Sequence, residues 1–379
     1  MPGTSGRFRC GGLLVELQTA RLVGQLRPSD VVTYRQREPG HPFLADLLRR
    51  EPAPGQALWV VSWGFDVPQL LQRLRNRPVA YHAHSSGYGF DLPAGVPVLA
   101  VSRNTLGYWG ARAPRNPLFL VPNALDPKWL RPGSAAVPWR DPRGASPPAA
   151  VGGAMGGVPR AVDSIIPRDA DASQAVRRPI DVLVQVRKTS RYVLERLVPA
   201  LRDRGLRVEL QEGWVDDLVD LFRSATVVLY DSADYWRGRG VSEGFGLPPL
   251  EALASGCVVF SSLNHALADS LDPGVVGHQI GCGSLGADLA RISAAVADPE
   301  AWRAEPEPLA ALLRACSEPE LAERWRLALA AIDSHWQRLL LEGEPALVAA
   351  SPFWLRLEPW RQRLARVAGG RLRRWPLGR

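Results

Sequence analysis

The amino-acid sequence predicts an α/β protein with two doubly wound, Rossmann-like domains. Short apolar segments of strand length alternate with segments of helical periodicity in both halves of the chain, as in parallel sheets covered by helices. Between the halves, this periodicity stops over residues 131–178, a stretch rich in Pro, Gly, Ala and Ser. With 379 residues, the chain is long enough for two domains with separate cores.

Composition places the chain among globular proteins. Apolar residues make up 46% and charged residues 22%. No run approaches the roughly 18 apolar residues of a membrane-spanning helix, and the N-terminus lacks the apolar core of a secretory signal. The four cysteines are scattered without a C-x-x-C pair, which favours reduced thiols in a cytoplasmic enzyme over a disulfide framework or a zinc site.

The net charge of +8 is compatible with an anionic partner such as nucleic acid or a membrane surface. However, Lys128 and Lys188 are the only lysines, and the other 44 basic residues are arginines. Such a skew can arise from genomic base composition, so the distribution of charge is more informative than its total. Charge concentrates in residues 353–379, where eight arginines and three tryptophans accompany one acid, Glu358.

The first half reads as strands at 31–34, 57–63, 78–84, 97–102 and 118–122. Helices are predicted at 13–23, 43–50, 67–76 and 103–110. A doubly wound domain normally begins with a strand, a glycine loop and a helix. Gly11 and Gly12 would supply that loop, yet no strand precedes them. We hypothesise that the given start lies just after the first strand of the natural chain; the alternative is a domain that dispenses with it.

The second half repeats the alternation. Strands are predicted at 181–186, 207–210, 226–230 and 257–260. Helices are predicted up to Arg204 with a kink at Pro199, and at 215–223, 286–297, 309–316 and 321–341.

A glycine loop that leads into a helix lies between the third and fourth of these strands. Gly244 and Gly246 leave the backbone free to bend closely around a ligand. Pro248 and Pro249 suit the first turn of a helix, where a missing N–H costs nothing. The start of such a helix presents unpaired N–H groups and partial positive charge, and so favours an anion.

Two carboxylates flank this predicted phosphate cradle, eight positions apart. Glu243 lies in the loop and Glu251 in the first helical turn. A cradle for phosphate beside two acceptors of hydroxyl hydrogens predicts a ligand that carries both phosphate and hydroxyl groups.

The run Glu-Gly-Phe-Gly-Leu-Pro-x-x-Glu-Ala-x-Ala-x-Gly, residues 243–256, resembles the signature of retaining, nucleotide-sugar-dependent glycosyltransferases of family 4. This resemblance implies the GT-B fold, in which two Rossmann-like domains face a central cleft. It also implies transfer of a sugar, with retained anomeric configuration, to a hydroxyl of a glycan or lipid-linked acceptor. The donor would be a UDP or GDP sugar, and neither a metal nor a further cofactor is expected.

The resemblance also assigns roles to residues of the signature. Glu251 would bind the ribose hydroxyls of the nucleotide, and Glu243 would approach the hydroxyls of the donor sugar. In the family, a histidine at the end of a first-domain strand lies beside the transferred sugar, and the pattern fits His84 better than His82. His84 and Glu243 are therefore the candidate catalytic residues. Backbone N–H groups facing the diphosphate or sugar would come from Gly244, Phe245, Gly246 and Leu247.

Basic residues after the first strand of the second half are further donor-site candidates. Arg187 and Lys188 could neutralise charge on the departing nucleotide, as an Arg and a later Lys do in the family. Arg191 stands near the place of the later residue, so the second clamp could be Lys188 or Arg191. Trp214 falls where the family holds the base; a position in the core is an equal alternative.

The predicted organisation has four parts. Residues 1–131 form an acceptor-side domain, 132–178 a linker or insertion, 179–341 the nucleotide-sugar-binding domain and 342–379 a basic tail. The tail could attach the protein to the inner face of the cytoplasmic membrane, or pack as a C-terminal helix across the domains. Rival interpretations are another GT-B enzyme, either an epimerase or a phosphorylase, and a non-catalytic basic binding protein. No nucleic-acid-binding motif supports the latter.

Overall fold

The computed structural model describes residues 1–8, 10–50, 57–62, 64–131, 178–213, 215, 217–281 and 284–342. These residues belong to two compact units. The first comprises Met1–Asn123, Gly240–Phe245 and the chain from Leu321 on, and the second comprises Ala124–Arg239 and Gly246–Glu320. The predicted linker up to residue 177 and the tail from residue 343 lie outside the described residues, and the predicted domain boundaries stay a prediction.

The first unit contains a parallel sheet with strand order β1-β2-β3-β4. Register places Trp59 beside Val79, Tyr81 beside Val98 and Val98 beside Leu118. Both inner strands are fully buried, as expected for a parallel sheet with helices on its faces. The elements are α1 (Gly11–Leu26), α2 (Leu44–Arg50), β1 (Trp59–Val61), α3 (Val67–Arg73), β2 (Val79–Ala83), β3 (Val98–Ala100), α4 (Arg103–Arg112) and β4 (Leu118–Leu120).

The beginning of the chain differs from the prediction in two ways. Gly11 and Gly12 form the first turn of α1 rather than a loop. Glycine destabilises a helix mainly in its interior, and the first turn tolerates it better because its N–H groups have no intrahelical partners. The predicted strand at 31–34 reduces to one bridge between Thr33 and Phe43. Met1 and Pro2 accept backbone hydrogen bonds from residues 34–36, but no strand precedes α1 among the described residues.

The second unit contains a five-stranded parallel sheet with the order β6-β5-β7-β8-β9. Its core is a continuous apolar cluster that includes Val182, Leu197, Leu229 and Phe260. The elements are α5 (Pro127–Leu130), β5 (Ile180–Gln185), α6 (Val198–Asp203), β6 (Val208–Gln211), α7 (Leu218–Arg223), β7 (Ala225–Tyr230), α8 (Ala233–Arg239), α9 (Leu247–Ala254), β8 (Val258–Ser261), β9 (His278–Gln279), α10 (Leu285–Ala297) and α11 (Pro306–Ala315).

Pro199 changes the winding of its helix. It occupies the second position of α6, and the preceding turn, Val193–Leu197, is a π-helix. Because proline has no N–H to donate to the preceding turn, a wider turn accommodates it without ending the helix. The predicted disturbance is therefore present, as a change of helix type.

The last described helix is α12 (Glu318–Leu341), with Trp325, Ile332 and Trp336 among its buried residues. Charged residues are spread along its exposed side, which is typical of an amphipathic helix at the surface of a globular unit. None of the described helices combines the length and the apolar character that crossing a bilayer requires.

Candidate functional site

The glycine loop leads into a helix as predicted. Gly246 precedes α9 with φ of 87°, a conformation that favours glycine, and prolines occupy the first turn. Leu250 and Leu253 are buried, so they anchor the helix in the second unit. Glu251 is the fifth residue of α9 and so lies in its second turn, one turn later than predicted.

The segment before Gly246 packs against the end of β2 within the first unit. A Cβ on Gly244 would lie 1.4 Å from the carbonyl oxygen of His84, so only glycine fits there. Ser242 holds the same two segments together, since its N–H donates to Ser86 O at 3.2 Å and its carbonyl accepts from Ser85 Oγ at 2.6 Å. The structure therefore brings the predicted catalytic segments, around His84 and around the buried Glu243, side by side.

Glu251 lies among charged groups of the second unit. Burial raises the pKa of its carboxyl to about 7, while the nearby Lys128 and Lys188 oppose the shift and Asp126 adds to it. Thus a carboxyl and two ammonium groups are close enough to act on one another's charge. This arrangement can accept hydrogen bonds from hydroxyls and place positive charge near phosphate oxygens.

Lys128 and Asp126 are charged residues near Glu251 that the sequence interpretation did not single out. Asp126 also has a structural role, because it caps α5 by accepting from the N–H of Lys128 at 3.0 Å. The rarity of lysine in the sequence nevertheless distinguishes Lys128 from the other basic residues. The chain's two lysines, Lys128 and Lys188, both act on Glu251, although arginine serves at every other basic position.

The other predicted donor-site residues have mixed surroundings. Arg187 and Lys188 follow β5 in a short 3-10 turn; Arg187 is exposed, and Lys188 Nζ lies 4.6 Å from the ring centroid of Trp236. Arg191 is highly exposed and pairs with Glu195 one turn along its own helix, at 2.7 Å. Trp214 lies outside the described residues. The assignments of Arg187, Arg191 and Trp214 to the donor site stay predictions.

His84 is part of a compact polar cluster in the first unit. Glu16 Oε1 lies 2.8 Å from His82 Nδ1 and 2.5 Å from His84 Nε2. Burial lowers the pKa of His82 and favours its neutral form. Burial alone would raise the pKa of Glu16, but the attraction and hydrogen bonds of the two histidines outweigh it and hold that pKa well below its usual range. Glu16 therefore stays ionised in the interior.

Glu16 was also missed in the sequence, although its position in α1 carries a signal. It is buried on the same face as Leu13 and Thr19, at helical spacing from both. A carboxylate on the buried face of a helix requires a polar or charged partner. Here the partners are His82 in β2 and His84, which follows it.

Comparisons with known proteins address the fold. No family model matches the chain, and no curated protein matches it. Among solved structures, Anabaena HepE in complex with UDP-glucose has a TM-score of 0.55 and 13% identity, covering 87% of this chain and 98% of that one. A glycosyltransferase from Rickettsia africae has a TM-score of 0.52 and 10% identity, with coverage of 87% and 96%.

The sucrose-phosphate synthase of Thermosynechococcus elongatus has a TM-score of 0.51 and 16% identity, covering 76% of this chain and 77% of that one. At these identities the likeness is one of fold. The predicted fold class is confirmed: this α/β chain, with its two parallel sheets, has the fold of GT-B glycosyltransferases.

Proposed function

We propose that this protein is a retaining glycosyltransferase that moves a sugar from a UDP or GDP donor to a hydroxyl of a glycan or lipid-linked acceptor. The observation that carries the proposal is the Glu251 carboxyl, with Lys128 and Lys188 near enough to oppose its pKa shift, beside a helix that opens with a left-handed glycine and two prolines. A nucleotide sugar combines a diphosphate with the two hydroxyls of a ribose. Ammonium groups suit the diphosphate, and a carboxylate suits the ribose hydroxyls.

In this proposal, basic side chains and backbone N–H groups bind and activate the donor. Transfer breaks the bond between the anomeric carbon and the diphosphate, so negative charge grows on the leaving nucleotide. Lys188, with Arg187 next to it, would stabilise that charge, as would the N–H groups from Gly244 to Leu247. The proposal assigns this task to the protein's own cations and dipoles and expects transfer without a metal at the diphosphate.

His84 and Glu243 would act at the sugar. Their segments are fixed against each other by the close approach of Gly244 to the His84 carbonyl. Because Ser242 hydrogen-bonds to both Ser85 and Ser86, a change in one segment would move the other. This rigidity supports a role in holding the sugar ring in one orientation.

A thermal-shift series tests the donor part of the proposal. Wild-type protein is melted with UDP, GDP, ADP and their sugars, since a ligand that binds only the folded state raises its stability by about 2.7 kcal/mol at a hundred times Kd. The same series is run on Glu251→Gln and on Glu300→Gln, an exposed carboxylate of the same unit that contacts Arg303. One nucleotide class should stabilise the wild type and the control more than Glu251→Gln. Absence of any stabilisation would contradict the proposal.

Attachment to a membrane is the remaining part of the proposal. The basic, tryptophan-containing residues 353–379 would bring the enzyme to lipid-linked acceptors at the inner face of the cytoplasmic membrane. Flotation with anionic vesicles, with and without the residues after Ala350, tests this role. Equal flotation of the full-length and the shortened protein would show that the tail has no role in membrane attachment.

A further inference from the structure

The buried cluster of Glu16, His82 and His84 offers three metal-ligating atoms that converge on one point. Their side chains are 7%, 0% and 17% exposed. Glu16 Oε1, His82 Nδ1 and His84 Nε2 all lie within 4.8 Å of one another. The proposed sugar transfer uses His84 but assigns no role to Glu16 or His82, so the chemistry of the whole cluster is a separate question.

The fold places these atoms together in a defined way. His82 lies in β2 and His84 follows its end, and residues two apart on an extended chain point to the same side. Glu16 faces them from the buried side of α1. His82 is further fixed by an edge-to-face contact with Trp325, at 5.2 Å between ring centroids. Two elements with packed side chains thus hold the donor atoms in place.

Charge is the reason to expect a cation here. A carboxylate that is taken out of water is costly unless a cation or a metal compensates it. Within the part of the chain that the structure describes, the ion pairs of Glu16 are with His82 and His84 alone. Among the described residues, Nε2 of His82 is buried without a hydrogen-bond partner. A bound metal ion would compensate this charge more fully than a proton on one histidine or the nearby Met1 ammonium, which also interacts with Glu16.

We propose that the cluster binds one divalent transition-metal ion of the zinc type through these three atoms. Two imidazoles and one carboxylate are a common donor set for such ions. Ligands at about 2.0–2.1 Å from a tetrahedral zinc lie roughly 3.3 Å apart. The two N···O distances, 2.8 and 2.5 Å, would thus each widen by less than about 1 Å. The partly exposed His84 provides the side from which an ion enters.

Metal binding would change which hydrogen-bonding group His84 offers to its surroundings. Without metal, Nε2 is the nitrogen that contacts the ionised Glu16, and a carboxylate can only accept, so a proton resides on Nε2. With metal on Nε2, the proton resides on Nδ1, which becomes a donor. The ion would therefore fix the orientation and the tautomer of a residue that packs beside Gly244.

The test uses the full chain, purified without metal-affinity steps and stripped with a chelator. Co²⁺ is titrated while the visible absorption of the four-coordinate ion is recorded, and Zn²⁺ is then added to displace it. The variants are Glu16→Gln, which keeps the size of the side chain, and His84→Asn. His41→Gln is the control, a histidine of the same unit outside the cluster.

The expected result is one equivalent of metal in the wild type and the control, with affinity more than about tenfold weaker in both cluster variants. A folded wild type that takes up no Co²⁺ or Zn²⁺ at micromolar concentration would overturn the proposal and leave a proton as the compensating cation. Equal binding by the cluster variants would overturn it too. Should the variants fail to fold, the ring ¹⁵N chemical shifts of the wild-type histidines are recorded with and without Zn²⁺. A change at His82 and His84 on addition of Zn²⁺ would support the proposal, and unchanged shifts would overturn it.

Discussion

Glu251 should make the stability of this protein fall as the pH rises, and Glu251→Gln should remove that fall. In the folded protein the carboxyl keeps its proton up to a pKa of about 7, against 4.5 for the free group. The unfolded chain releases the proton at the lower value. Between these two values unfolding therefore releases a proton, and a rise in pH favours the unfolded state.

The size of the effect follows from the two pKa values. The difference of about 2.5 units corresponds to about 3 kcal/mol, at 1.36 kcal/mol per unit. This contribution is fully present below about pH 4.5, declines through the interval and is lost above about pH 7. A glutamine at position 251 does not titrate. The free energy of unfolding of the Glu251→Gln variant, relative to that of the wild type, should therefore rise by up to about 3 kcal/mol as the pH increases from about 4.5 to about 7.

The assay is urea unfolding at a series of pH values from about 4.5 to 8. It compares the wild type, Glu251→Gln and the exposed-carboxylate control Glu300→Gln. A pH-independent difference between wild type and Glu251→Gln would refute the reasoning, because the carboxyl would then titrate alike in both states. If ribose hydroxyls donate to the ionised form, a nucleotide sugar should also bind more weakly below about pH 7 and lower the pKa of Glu251.

Three further outcomes follow from the site. Gly244→Ala should destabilise the protein by about 1–3 kcal/mol in urea unfolding, because the added Cβ would collide with the backbone. The control Gly238→Ala, which has open space for a Cβ, should keep the stability of the wild type. Equal stabilities of the two variants would contradict the close packing at Gly244. Glu243→Gln should bind nucleotide normally yet transfer slowly, and unchanged turnover would remove its catalytic role. Lys128→Met and Lys188→Met should each weaken binding of the nucleotide sugar about tenfold in calorimetry; unchanged affinity would remove that lysine from the site.

Much of the fold could be predicted because buried parallel strands and capped helices are local patterns. The strand at 78–84 is observed as Val79–Ala83, and the proline-started helix as Leu247–Ala254. The prediction of a strand at 31–34 was wrong, because apolar residues alone do not ensure a neighbouring strand. Within this segment only Thr33 forms a bridge. The helix Ala233–Arg239 was not predicted, since its sequence has no apolar face and none of its residues is buried.

Residues of the candidate site that share one motif can be predicted together, whereas the partners of distant residues cannot. Glu243 and Glu251 stand in a single run of sequence, whereas Lys128 reaches Glu251 from a position more than a hundred residues earlier. Glu16 is likewise distant in sequence from the histidines it contacts. Only tertiary packing brings such groups together, so their types can hint at a site but their partners cannot be read from spacing.

The central claim is that this chain transfers a sugar from a nucleotide donor. Its most direct test measures nucleotide release from a panel of UDP, GDP and ADP sugars, with glycan and lipid-linked acceptors, for the wild type and Glu251→Gln. We expect release from one donor class in the wild type, with a product that retains the anomeric configuration, and much slower release in the variant. A folded wild-type protein that leaves every donor intact with every acceptor would contradict it.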